Sequence, residues 1–94
     1  MSSKTILKES SLTFLEKYLN NASPTGYESE GQKIWMDYLK PYVDTFTTDT
    51  YGTAVGIINP DAKYKVVIEG HSDEILLYVN YITDDGFIYV IRNG

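Results

Sequence analysis

The residues with the most chemical potential in this chain are His71 and Asp73, which lie two positions apart. His71 is the only histidine, and the chain contains no cysteine. Side chains alternate along extended backbone, so both point to the same side if the chain stays extended through Ser72. The imidazole can then bind a metal ion while the carboxylate holds the ring. A lone histidine is also commonly a surface or hydrogen-bonded side chain, so the His-x-Asp triplet alone leaves both interpretations open.

The apolar run ahead of the histidine predicts the strand that positions it. Residues 66–68 read Val-Val-Ile without alternation, which is typical of a strand covered on both faces, as in the parallel part of an α/β sheet. We predict this strand over residues 64–68. Gly70 ends the run, and His71 follows at the carboxyl end of the strand, where ligands collect in open α/β sheets.

The sequence before this strand predicts two amphipathic helices and then extended chain. The helices are expected over residues 11–19 and 28–39, each with one apolar stripe, and the first stripe is expected to pack on a sheet. Pro41 should end or bend the second helix. Two strands joined by a turn follow over residues 44–58. The stripes consist of Leu12, Leu15, Tyr18 and Leu19 in the first helix and of Ile34, Trp35, Tyr38 and Leu39 in the second.

The segment between the two helices, residues 22–28, reads Ala-Ser-Pro-Thr-Gly-Tyr-Glu. Thr25 and Glu28 have the spacing of a capping box, in which the threonine hydroxyl accepts from a backbone N–H at the helix start and the glutamate reaches back. This pattern predicts a structural role for Thr25.

The end of the chain predicts a hairpin formed by residues 75–82 and 87–91. The connection Thr-Asp-Asp-Gly lacks the series of ligands that a calcium loop requires, so it is interpreted as a turn. An unpaired edge of this apolar and aromatic hairpin could pair with another chain.

Composition limits the possible function classes. With 94 residues and a net charge of −5, the chain makes one small acidic domain at most. It has no cluster of basic residues, so neither nucleic acid nor an anionic membrane is an expected partner. The lack of cysteine excludes disulfides and thiolate metal sites. Residues 1–9 have no apolar run of signal-peptide length, and we predict a soluble cytoplasmic protein.

Two segments resemble the glutamyl and tetrahedral aminopeptidase family of dinuclear metallo-exopeptidases. The run Gly-His-Ser-Asp-Glu-Ile at residues 70–75 resembles the family's apolar strand, small residue and His-x-Asp-Glu-Ile-Gly. Residues 22–28 resemble its small-Pro-Ser/Thr-Gly-x-Glu segment. The likeness continues at residues 43–44 and 49–52, with two departures: Leu76 where the family usually has glycine, and Thr53 where it has asparagine.

The resemblance implies an α/β fold, namely the N-terminal part of a three-layer α/β/α catalytic domain that continues into the first hairpin of an inserted β domain. Residues 1–72 would belong to the catalytic domain and residues 73–94 to the inserted domain. In the family the inserted domain serves assembly and shapes substrate access, so a homo-oligomer is expected of the complete protein.

The activity implied by the resemblance is hydrolysis of the N-terminal residue from peptides with two divalent metal ions, zinc or cobalt. His71 would be a metal ligand and Asp73 the catalytic-site residue beside it, while Glu74 is not given the role of base. The other ligands and the base lie later in the family's sequence. We therefore expect an incomplete piece, cut by design or by a gene break, that is inactive alone and binds metal weakly if at all.

Two other interpretations remain open at the level of sequence. The chain could be a small non-catalytic α+β interaction module that associates through its C-terminal hairpin. The dinuclear chemistry could also act on other substrates, since related folds include carboxypeptidases and deacylases. Some relatives carry an endoglucanase label, but the chain has no paired-carboxylate glycosidase site.

Overall fold

The structure, a computed structural model, describes residues 6–94. Residues 1–5, part of the segment from which the absence of a targeting signal was argued, lie outside the described residues. The elements in chain order are helix α1 (Glu9–Leu19), helix α2 (Ser29–Leu39), a 3₁₀ turn (Lys40–Tyr42), and strands β1 (Thr45–Thr48), β2 (Ala54–Ile57), β3 (Leu76–Ile82) and β4 (Ile88–Asn93). The predicted succession of two helices and then strands is confirmed.

Aromatic side chains join the two helices to each other and to the first hairpin. The ring of Phe14 in α1 stacks on Tyr38 in α2 with 4.1 Å between centroids. The hydroxyl groups of Ser11 and Tyr38 share a hydrogen bond of 2.7 Å. On the next face of α2, Trp35 meets Phe46 of β1 edge to face at 6.3 Å. Trp35 and Tyr38 therefore serve packing.

The leucine stripe of α1 does not pack as expected. Leu12, Leu15 and Leu19 are all exposed, whereas Phe14 and Tyr18 are half-buried. Stacking of the aromatic rings turns that side of the helix toward α2. The prediction that the leucines cover a sheet is therefore wrong for the part of the chain that the structure describes.

Strands β1 and β2 form an antiparallel hairpin, with Thr45 opposite Ile57 and Thr48 opposite Ala54. Gly52 closes the turn with φ +87°, a backbone conformation that glycine adopts without steric cost. Helix α2 packs on β2. Most of the half-buried residues of the described chain lie in this hairpin and the two helices.

Strands β3 and β4 form a second antiparallel hairpin that runs from the pair Leu76 and Asn93 to the pair Ile82 and Ile88, with an irregularity between Val79 and Tyr81. Its turn is closed by Thr83, whose N–H donates to the carbonyl of Phe87 at 2.8 Å. Asp84 and Asp85 lie in this turn, as predicted.

The predicted strand over residues 64–68 does not form in the structure. Val66, Val67 and Ile68 are 83%, 79% and 96% exposed, and this segment belongs to neither two-stranded sheet. A strand requires a neighbour for its backbone N–H and C=O groups. Among residues 6–94 no strand pairs with it, so the apolar run stays without cover on either face.

The elements do not enclose a core. Within residues 6–94 no aliphatic or aromatic side chain is buried, and the buried side chains are those of Ser23 and Pro24 in the turn before α2. The radius of gyration is 18.1 Å, against about 13 Å for a compact domain of this length. Two-stranded sheets are marginal without further packing. Neither of the described helices is long and apolar enough to cross a membrane.

Candidate functional site

Two loops that are distant in sequence meet beside the histidine. The N–H of Glu74 donates to the carbonyl of Ser23 at 2.8 Å, and the N–H of Ser23 lies 3.4 Å from Glu74 Oε1. Pro24 and Glu74 form a parallel bridge, and Ser23 is only 5% exposed. The turn before α2 is thus attached to the segment that carries His71 and Asp73.

The hydroxyl of Thr25 is used at this junction. Thr25 Oγ1 donates to Asp73 Oδ2 at 2.6 Å. The predicted capping box is wrong, because α2 begins at Ser29 without a side-chain cap. The glutamate of the expected box, Glu28, accepts instead from the N–H of Gly26 at 2.7 Å.

The other oxygen atoms of Asp73 hold the histidine ring. Nδ1 of His71 lies 2.8 Å from the backbone carbonyl oxygen of Asp73 and 3.1 Å from its Oδ1. A carbonyl oxygen and an ionised carboxylate can only accept, so Nδ1 must carry the proton. The lone pair of a neutral ring then lies on Nε2. The His71 side chain is 85% exposed.

Local hydrogen bonds favour the ionised form of Asp73. The hydroxyl of Thr25 has the largest effect and lowers the pKa of Asp73, and the bond to His71 lowers it further, while partial burial acts in the opposite direction. The net shift is downward from the usual 3.8. At neutral pH the carboxylate is therefore available as the acceptor that the histidine ring requires.

A shallow cleft of about 230 Å³ opens at this junction. One side is formed by the loop that carries the histidine and the other by the end of α1 and the turn after it. The lining residues are Tyr18, Leu19, Asn21, Ser23, His71, Ser72, Asp73 and Glu74.

The donor set fits one corner of a metal site. Histidines that bind metals usually give their second ring N–H to a carboxylate or a carbonyl group, and His71 does both through Asp73. A catalytic zinc ion takes about three protein ligands. Within residues 6–94 no group of three or more His, Asp or Glu side chains is placed to hold a metal ion. These residues can supply a nitrogen ligand but do not complete a site.

The two residues singled out from the sequence, His71 and Asp73, are in contact in the structure. Their roles as metal ligand and catalytic-site residue remain predictions. Sequence reasoning missed the bond from Thr25, which spans 48 positions, and the attachment of Ser23 to Glu74, which spans 51. No local pattern indicates bonds of that span. The available signal was that both segments resemble the same family.

Comparison with known proteins shows similarity to aminopeptidases. A protein of Acetivibrio thermocellus named as an aminopeptidase is 30% identical over 81 residues, which are 86% of this chain and 24% of that protein. The lysyl aminopeptidase of Pyrococcus furiosus is 31% identical over 85% of this chain and 23% of its own length. The chain spans about a quarter of the length of these relatives. No family profile matches it.

The solved structures include a similar fold. A crystal structure of a TET aminopeptidase from a marine sediment archaeon of the Thaumarchaeota matches with a TM-score of 0.75 and 25% identity, over 89% of this chain and 23% of that one. The two helices followed by strands are therefore a fold that occurs within a known aminopeptidase.

Proposed function

We propose that this chain is part of the catalytic domain of a metal-dependent aminopeptidase of the glutamyl and tetrahedral type, which removes N-terminal residues from peptides. Similarity in sequence and fold to aminopeptidases supports the peptidase class. The observation that carries the metal-dependent assignment is the contact of His71 Nδ1 with Asp73, because it leaves the lone pair of Nε2 for a metal ion.

In this proposal the residues of the chain bind and orient. His71 would offer Nε2 to one of two divalent ions, zinc or cobalt, and Asp73 would hold the ring and fix its tautomer. Such ions, when bound, polarise a carbonyl group and make water more acidic. Asp73 carries out its part by accepting a hydrogen bond from Nδ1–H of His71, and the proton stays on the ring.

The remaining ligands and a general base would come from sequence beyond these 94 residues. The chain alone supplies one imidazole and one carboxylate beside it, and a metal ion with so few protein ligands stays mostly solvated. We therefore propose that the isolated chain has no useful peptidase activity.

The test uses the native-length product of the gene with a mixed set of peptides. We expect release of N-terminal amino acids that a chelator abolishes and that zinc or cobalt restores, because the water in the site would depend on the metal. The His71→Ala variant should lose activity by a factor of about ten to a hundred or more, since a ligand contributes at least as much as the groups that orient it. Amino-acid release is measured directly in each case.

The matched control is Lys63→Ala, a truncation at an exposed position ahead of the same segment. It should keep the native rate. Normal peptidase activity in His71→Ala, or activity that is insensitive to removal of metal, would contradict the proposal.

The exposed hairpin leaves a second candidate of a different class, a non-catalytic module that associates through β3 and β4. Val79 and Val90 face each other in the register, and both are exposed. Self-association independent of metal, in a native protein that releases no amino acids, would favour this module.

A further inference from the structure

We propose that Thr25 is a positioning residue of the site: its hydroxyl holds the Asp73 carboxylate in the orientation that fixes the tautomer of His71. This inference rests on the proposed function for its catalytic consequence. Its structural claim, the effect on the histidine ring, can be tested without any activity.

The geometry assigns one task to each carboxylate oxygen of Asp73. Oδ2 accepts from Thr25 Oγ1 at 2.6 Å, and Oδ1 lies 3.1 Å from His71 Nδ1. A carboxylate that accepts on only one oxygen can rotate about its terminal bond, because that torsion is broad. With the second oxygen bound by Thr25, rotation would break a short charge-assisted hydrogen bond. Thr25 therefore holds the acceptor in place for the ring.

The turn that carries Thr25 is itself attached to the segment that carries Asp73. Ser23, two residues before it, is buried and bonded to Glu74 through backbone groups. Thr25 is therefore held next to the isolated bridge between Pro24 and Glu74, beside Asp73. The main chain also contributes to the ring, because the Asp73 carbonyl accepts at 2.8 Å. Loss of Thr25 should then loosen the ring without releasing it completely.

The expected effect on the histidine is a change in tautomer. In the native protein the Nδ1–H form predominates, because both neighbours of Nδ1 are acceptors. When Asp73 can turn away, the alternative form, with the proton on Nε2, gains population. In that form Nε2 carries the proton and has no lone pair for a metal ion, so metal affinity and peptide turnover should fall.

The experiment compares Thr25→Val, which keeps the shape and removes the hydroxyl, with Thr25→Ser, which keeps the hydroxyl. The metal-free native-length protein is labelled with ¹⁵N at histidine, and the His71 signal is assigned by its loss in His71→Gln. We expect a single Nδ1–H tautomer in the native protein and in Thr25→Ser, and a mixture in Thr25→Val. Cobalt affinity and kcat/KM should fall about tenfold in Thr25→Val and recover in Thr25→Ser.

Thr50→Val makes the same chemical change at an exposed position in the turn after β1 and should leave the ring signals native. An unchanged tautomer in Thr25→Val would overturn the role of Thr25. A mixture that Thr25→Ser does not reverse would overturn it as well, because the hydroxyl would not be the cause. A native protein without chelator-sensitive turnover would refute the proposed function, and the NMR comparison would still decide the claim about Thr25.

Discussion

At the scale of single residues, the site depends on an aspartate whose acceptor atoms are all used. One carboxylate oxygen of Asp73 accepts from Thr25 and the other accepts from His71. The main-chain carbonyl of Asp73 accepts from His71 as well. These bonds lie largely at the surface, where their energies are reduced by water. Their value is geometric, because they leave one ring nitrogen of His71 with a lone pair and one with a proton.

A second aspartate organises the turn between β1 and β2. Asp49 Oδ1 accepts from the N–H of Thr53 at 3.0 Å and from that of Tyr51 at 2.9 Å. These bonds, led by the one from Thr53, lower the pKa of Asp49 from its ordinary 3.8. The folded state therefore favours the ionised carboxylate.

We predict that Asp49→Asn lowers the stability of the native-length protein most at neutral pH. A depressed folded pKa contributes stability that is complete above the ordinary pKa of 3.8 and is lost as the pH falls through the lower folded value. The difference in denaturant midpoint between the native protein and Asp49→Asn should therefore shrink between about pH 7 and about pH 3.

Asp61→Asn, in the turn after β2, controls for the loss of one negative charge. A difference between Asp49→Asn and the native protein that stays constant or grows toward acid would show that the Asp49 carboxylate does not act through its ionised form.

At the scale of elements, a glycine lets helix α2 approach the loop of the site. Gly31 is the buried residue of α2, and a Cβ at this position would lie 2.6 Å from Ser23 Oγ and 3.2 Å from Asn21 Nδ2. Moving the Ser23 hydroxyl away would break the hydrogen bond that its Oγ accepts from Asn21 Nδ2 at 3.0 Å, and the Ser23 backbone is bonded to Glu74. Helix α2 therefore packs directly against the loop that contains Asn21 and Ser23.

We predict that Gly31→Ala destabilises the native-length protein by about 1–2 kcal/mol. Alanine gains about 1 kcal/mol in helix propensity, but overpacking costs about 1–3 kcal/mol, and the buried serine favours the upper part of that range. The free energy of unfolding is measured with urea.

The double variant Gly31→Ala with Ser23→Ala is the control, because removal of the serine Oγ takes away the closest contact. It should recover most of the loss, which appears as a coupling energy between the two sites. A more stable Gly31→Ala would show that the helix and the loop do not approach as closely as the structure indicates.

The second hairpin presents apolar side chains on both faces. Leu77, Val79 and Ile91 are examples that remain more than half exposed. Cross-strand pairs stabilise a ribbon only modestly, and an isolated two-stranded ribbon is marginal in water. The hairpin therefore requires cover from another part of the protein or from another chain.

At the scale of the whole molecule, the described chain has no core of buried aliphatic or aromatic side chains. Its radius of gyration of 18.1 Å and its exposed apolar segments, residues 66–68 among them, leave little burial to offset the loss of conformational entropy. The leucine side of α1 and the hairpin of β3 and β4 present apolar side chains to solvent, whereas the apolar side of α2 is half-buried.

We predict that the 94 residues produced alone do not unfold cooperatively. A folded domain absorbs about 0.7 kcal/mol per residue on thermal unfolding, and this chain should show no such heat-absorption peak in calorimetry. It should bind a dye that reports exposed apolar surface and should release no amino acids from peptides. The native-length protein is the positive control in all three assays.

A sharp calorimetric transition of the expected size for the isolated chain would contradict this prediction. It would show that the chain encloses a core by itself. Peptide turnover that survives repurification and disappears in His71→Ala would contradict the requirement for further ligands.

The sequence by itself determined the two helices, the two hairpins and the pair of His71 and Asp73. Helical and strand periodicity, Pro41 after α2 and glycine in the turns act over a few residues, so these features can be predicted without a fold. The contact between His71 and Asp73 is also local, because the two residues lie only two positions apart.

Only the tertiary structure decided which partners distant residues find. Thr25 has the spacing of a helix cap, but in the structure its hydroxyl donates to Asp73, which lies 48 positions away in sequence. Residues 66–68 have the composition of a buried strand, yet they form none because no described strand pairs with them. Composition describes what a segment can do, whereas hydrogen bonds and burial require a second segment at the right place.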